Sequence, residues 1–73
     1  MFDGLVLGVD PGTAAVGLAA VAASDSRLRV VWADTATTPP GLPYGERLRR
    51  VYRAVAEAIE EYRPEAVAVE RLM

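Results

Sequence analysis

Apolar residues in this chain come in short runs, and their spacing changes along the sequence. Leu5 to Val9 is mostly aliphatic and rich in β-branched side chains, then stops at a lone acid, Asp10. A short run that is apolar on both faces predicts a buried central strand. Pro11 cannot continue such a strand, and Gly12 accepts backbone angles that other residues resist, so the chain turns there. Val16 to Ala23 forms a second apolar run with small side chains, closed by a turn at Ser24-Asp25-Ser26. Leu28 to Thr35 alternates, with Leu28, Val30 and Trp32 expected on one face and Arg29, Val31 and Ala33 on the other. The arginine suits a partly exposed, edge-like strand. These three runs predict an antiparallel meander.

Beyond them, Thr37 to Pro43 carries Pro39, Pro40 and Pro43 and reads as a loop. From Tyr44 to Tyr62 the period becomes helical. Tyr44, Leu48, Val51, Val55, Ile59 and Tyr62 recur at steps of three or four, which predicts one helix with that stripe against the sheet. It ends at Arg63-Pro64, because a residue before proline is pushed out of the helical region. Ala66 to Val69 is another aliphatic strand, and it too ends in a lone acid, Glu70. The order βββαβ fits a mixed α/β sheet with the last strand parallel to the first across a helical crossover. Trp32, Tyr44, Tyr52 and Tyr62 are assigned to core or helix–sheet packing in preference to base stacking.

Charge along the helix runs against its dipole. Arg47, Arg49, Arg50 and Arg53 occupy the first half, while Glu57, Glu60 and Glu61 occupy the second. Such an order costs a few tenths of a kcal/mol per residue, and Glu46–Arg50 and Arg53–Glu57 pairs at i,i+4 would offset part of it. A solvated polar face accounts for most of this pattern. Arg47 and Arg50 are the candidates for phosphate contact.

Composition narrows the chemistry. A chain of 73 residues with 52% hydrophobic content is at most one domain, and either a tightly packed small one or the front of a larger one. The expectation is the second, since an apolar strand is not followed by a closing helix. The net charge of -2, from 8 basic and 10 acidic residues, gives no bulk argument for nucleic-acid binding. Every basic residue is arginine. With no cysteine or histidine, disulfides, zinc sites built on thiolate or imidazole, and Ser–His triads are excluded within the chain. Any metal would be held by oxygen, which points to magnesium or manganese. No apolar run is long enough to span a bilayer, and Met1-Phe-Asp3 is not a basic signal-peptide start, so the expected location is cytoplasmic.

What remains is the pair of strand-ending acids. If the first and last strands are parallel neighbours, Asp10 and Glu70 share one edge of the sheet, at a strand spacing of about 4.8 Å. Two carboxylates that close repel, and either a proton or a divalent cation relieves the repulsion. Divalent cations of this kind also promote phosphodiester hydrolysis. Taken singly, Asp-Pro-Gly is a common turn with the acid bonding its own backbone, and a glutamate at a strand end is usually solvated. The joint placement is what singles them out.

The segments Gly8-Val-Asp-Pro-Gly-Thr13, Leu42-Pro43, Arg47-Leu48 with Tyr52, and Arg63-Pro-Glu-Ala-Val-Ala-Val-Glu70 resemble the RuvC family of Holliday junction resolvases. The likeness runs over nearly the whole chain. It implies a ribonuclease H-like fold, with residues 1–73 as the N-terminal part of a single nuclease domain. It also implies a Mg²⁺-dependent homodimer, with Mn²⁺ as a substitute, that makes paired nicks in four-way DNA junctions during recombination and repair. The RuvA-RuvB branch-migration complex is the partner that the family implies. Asp10 and Glu70 match its catalytic, metal-binding acids, and Thr13, Arg47, Arg50 and Met73 are candidate nucleic-acid contacts. Two departures follow. The family's further acids lie on a C-terminal helix well beyond position 73, so this stretch alone is expected to be inactive. Relatives tend to carry an aromatic where Met73 stands, and a methionine wedges between bases but stacks less well.

Three alternatives have different chemistry. ATPases of the actin and sugar-kinase type open on a similar Asp-x-Gly-Thr loop, but do not need an acid at Glu70. YqgF-type nucleases, thought to act on ribosomal RNA precursors, share the fold and opening, but fit the long helix and Glu70 less well. A non-catalytic module that binds DNA or a partner would fold normally and never cut.

Overall fold

The structure, a computed structural model, describes residues 4–12 and 15–70. Its elements are β1 (Gly4–Pro11), β2 (Ala15–Ser24), β3 (Arg27–Thr37), α1 (Tyr44–Tyr62) and β4 (Ala66–Val69). They form one sheet in the order β3-β2-β1-β4. β1 with β2 and β2 with β3 are antiparallel, whereas β1 with β4 is parallel, so the predicted meander and crossover are both present. The β1–β2 turn is tight: the Gly12 N–H donates to the Ala15 carbonyl at 2.8 Å. A Cβ at Gly12 would fall 2.6 Å from that oxygen, so only glycine fits there.

α1 covers one face of the sheet. Leu7, Val9, Val16 and Leu18 are buried beneath it with Ala58, and Trp32, Val51, Ala54 and Val55 pack around them. Leu7, at the centre, is fully enclosed. The indole of Trp32 stacks on the ring of Tyr62, centroids 5.1 Å apart, and ties the helix end to β3.

Three local expectations are corrected. In β3 the alternation does not hold throughout. Ala20 lies opposite Trp32 but Val21 lies opposite Val30, so Val31 is an extra residue in a β-bulge. A bulge reverses the side-chain alternation, which places Leu28 and Val30 on the other face from Trp32, where they are exposed. On α1 the buried line runs through Val51, Ala54, Val55 and Ala58, not through the whole large-residue stripe. The two alanines let the helix approach the sheet closely, so Leu48, Tyr52 and Ile59 ride up its flank and Tyr44 overhangs at its first turn, all exposed. Tyr44 and Tyr52 therefore do not serve the core, whereas Trp32 and Tyr62 do. Finally, Glu46 pairs at i,i+3 with Arg49, at 3.3 Å. The i,i+4 pairs to Arg50 and from Arg53 to Glu57 are not formed among the described residues. α1 does end at Arg63, which turns left-handed with φ 45° while its N–H still donates to the Ile59 carbonyl.

Candidate functional site

The parallel pairing of β1 and β4 decides where the acids go. Val9 sits beside Val69 in the ladder, and the Glu70 N–H donates to the Val9 carbonyl at 2.9 Å. Glu70 is thereby held one residue beyond the strand, alongside Asp10. At the other end of β4 the Glu65 N–H donates to the Leu5 carbonyl at 2.8 Å, which fixes the register. Successive strand residues point to opposite faces. Because Leu7 and Val9 face α1, Gly8 and Asp10 face away from it, onto the side of the sheet that no helix covers among the described residues. Asp10 and Glu70 are both exposed there.

The two carboxyls interact. A hydrogen bond with Asp10, the negative charge of Asp10 and then partial desolvation raise the pKa of Glu70 from its ordinary value. A proton shared in a hydrogen bond between the two carboxyls, and then the relief of like charge, favour the protonated form. A divalent cation relieves the same repulsion without the proton. The donors are all oxygen, as hard cations such as Mg²⁺ and Mn²⁺ require, so the pair fits such an ion as two of its ligands. Among the described residues no third acid completes a metal-binding group.

Around the acids lies an open cleft of about 510 Å³, floored by Gly8, Gly17, Ala19 and Ala68. Asp34 borders it at the β3 side, with its side chain accepting from the Thr35 N–H at 2.8 Å. Strand pairing sets Asp34 opposite Leu18, on the helix-covered face, so it is not a member of the carboxylate pair. Gly17 is the direct cross-strand partner of Asp10. The sequence reading passed over it, although pairing residues outward from the Gly12–Ala15 turn brings position 17 opposite position 10.

Arg47 and Arg50 are not brought to this cleft. Both belong to α1, on the opposite face, and Arg47 lines a separate hollow of about 400 Å³ with Gly12, Thr38, Tyr44 and Leu48. Thr13 and Met73 lie outside the described residues. No helix among the described residues is long and apolar enough to cross a membrane.

Comparison with known proteins gives a consistent picture. The family model for crossover junction endodeoxyribonuclease RuvC matches residues 6–73. The RuvC of Rubrobacter xylanophilus is 48% identical over 68 residues, which is 93% of this chain and 38% of that protein. The RuvC of Chloroflexus aurantiacus is 42% identical over 66 residues, covering 90% of this chain and 40% of its own. The chain thus spans about two-fifths of the length of these relatives. Among solved structures, Thermus thermophilus RuvC superimposes with a TM-score of 0.82 at 37% identity, covering 92% of this chain and 45% of that one. The same protein in complex with Holliday junction substrate gives a TM-score of 0.84 at 38% identity, over 93% of this chain and 42% of that chain. The sheet and helix described above are therefore the opening portion of a ribonuclease H-like fold.

Proposed function

The chain belongs to the RuvC family, and from that premise we propose that it supplies the first two acids of a nuclease that nicks four-way DNA junctions. The observation that carries this reading is the juxtaposition of Asp10 and Glu70 at neighbouring parallel strand ends, close enough that Asp10 raises the Glu70 pKa. The sugar-kinase alternative does not call for an acid at position 70, and a non-catalytic module is told apart only by junction cleavage in the family-length protein.

Asp10 and Glu70 would hold a divalent cation, Mg²⁺ or in its place Mn²⁺. Such an ion supplies charge stabilisation at a phosphoryl oxygen and lowers the pKa of bound water. The chain's own contribution is geometric. The tight Gly12–Ala15 turn and the β1–β2 ladder fix Asp10, and the Glu70–Val9 hydrogen bond fixes its partner. The shallow floor of small residues lets a phosphodiester come down to the acids from solvent. Arg47 and Arg50, on the other face, take no part at the cleaved phosphate and belong to contacts farther along the DNA. Paired nicking of a symmetric junction requires two such sites, which supports a homodimer, and action on chromosomal junctions with a RuvA-RuvB complex sets the work in the cytoplasm.

The test is junction cleavage by the family-length protein. Asp10→Asn and Glu70→Gln should each lower the rate of paired nicking by at least about a hundredfold, with junction binding retained. ATP binding together with uncut junctions would show this reading to be wrong.

A further inference from the structure

Gly17 stands in the middle of β2, where glycine is costly: it loses the most backbone freedom on folding and offers no side chain to pack. Its backbone gives no reason for it, since the described glycines with left-handed φ are Gly4 and Gly41. Steric crowding gives none either. A Cβ at Gly17 would meet the Asp10 Cβ at 3.6 Å and the Asp10 carbonyl at 3.9 Å, which are ordinary van der Waals contacts. The contrast with Gly12, whose Cβ would overlap a backbone oxygen, is direct. What a side chain at Gly17 would take away is volume in the cleft, immediately beside Asp10.

We propose that Gly17 is a positioning residue for the substrate strand: its missing side chain leaves the gap beside Asp10 in which the sugar–phosphate backbone lies. The inference rests on the nuclease reading of this same cleft. Asp10 has two in-plane neighbours on the uncovered face, Glu70 on β4 and Gly17 on β2. A cation held by Asp10 and Glu70 would lie toward β4, leaving the β2 side of Asp10 to Gly17. A strand lying over β2 would meet the bare Cα of Gly17 immediately beside Asp10. A phosphodiester backbone needs that clearance to bring a non-bridging oxygen to the level of the carboxylates. Misplacement by about an ångström at such a site costs on the order of a hundredfold in rate.

The experiment uses the family-length protein with Gly17→Ala and Gly17→Val. Single-turnover nicking at saturating junction is measured beside cation-free junction binding, Mn²⁺ titration and thermal unfolding. Nicking should fall with side-chain size, by roughly tenfold for alanine and roughly a hundredfold for valine. Junction affinity and Mn²⁺ affinity should stay at the wild-type values, and the melting temperature should hold or rise, since a side chain without a clash removes the cost of glycine in mid-strand. Unchanged nicking overturns the proposal. So does a melting temperature that falls in step with activity, which would assign Gly17 to packing, or a parallel loss of Mn²⁺ affinity, which would assign it to the cation site. A wild type that binds junctions without nicking them contradicts the nuclease reading itself, before any variant is compared.

Discussion

Leu7 anchors the described core beneath the strand that carries Asp10. It is fully enclosed, three positions before the acid on β1, and lies between the sheet and Ala58 of α1. Burying a whole leucine side chain is worth about 1.5–3 kcal/mol. Truncation to alanine also leaves a cavity, which brings the expected loss for Leu7→Ala to about 3–5 kcal/mol. A whole native domain is stable by only about 5–15 kcal/mol, so this one change removes a large part of it. Val69 is the control. It shares the helix-side face on the neighbouring strand but is 64% exposed, so Val69→Ala should cost only about 0.5 kcal/mol. With a urea dependence of about 1 kcal/mol per molar, the unfolding midpoint followed by circular dichroism should drop by about 3–5 M for Leu7→Ala and about 0.5 M for Val69→Ala. Equal shifts for the two variants, or a loss below about 1 kcal/mol at Leu7, would refute this account of the core.

Gly12→Ala should lower the melting temperature markedly, because its Cβ would fall 2.6 Å from the Ala15 carbonyl and the turn must open; a variant as stable as wild type would mean the hairpin is built differently. Without divalent cations, stability should decline as pH rises above 4.5, the ordinary Glu value. Hydrogen bonding with Asp10 and its charge raise the folded pKa of Glu70, so the folded chain binds more protons than the unfolded one in that window and the slope is negative. Asp10→Asn should flatten this slope in thermal melts taken across the window, and a slope that survives the substitution has another origin.

The sheet was legible in the sequence because its signals are local and strong. Apolar runs, a proline–glycine turn and a change of period marked every strand and the helix, and two lone acids at strand ends marked the candidate site. Three features were not legible. The bulge at Val31 adds one residue to an alternating strand, and nothing in the order Val30-Val31-Trp32 announces which residue goes unpaired. The buried line of α1 was displaced because periodicity weighs large residues, whereas close helix–sheet contact here runs through Ala54 and Ala58. Gly17 carries no motif of its own. It becomes visible only when the register of β1 against β2 sets it opposite Asp10.

The claim on which everything else turns is that Asp10 and Glu70 act as one cation-binding unit. Calorimetric titration of Mn²⁺ into the family-length protein, its Asp10→Asn and Glu70→Gln variants and the double variant tests it directly. Groups that act as a unit are strongly non-additive, so each single substitution should abolish as much binding at this site as the double substitution does. Independent, additive losses, or binding that survives both changes, would contradict the account.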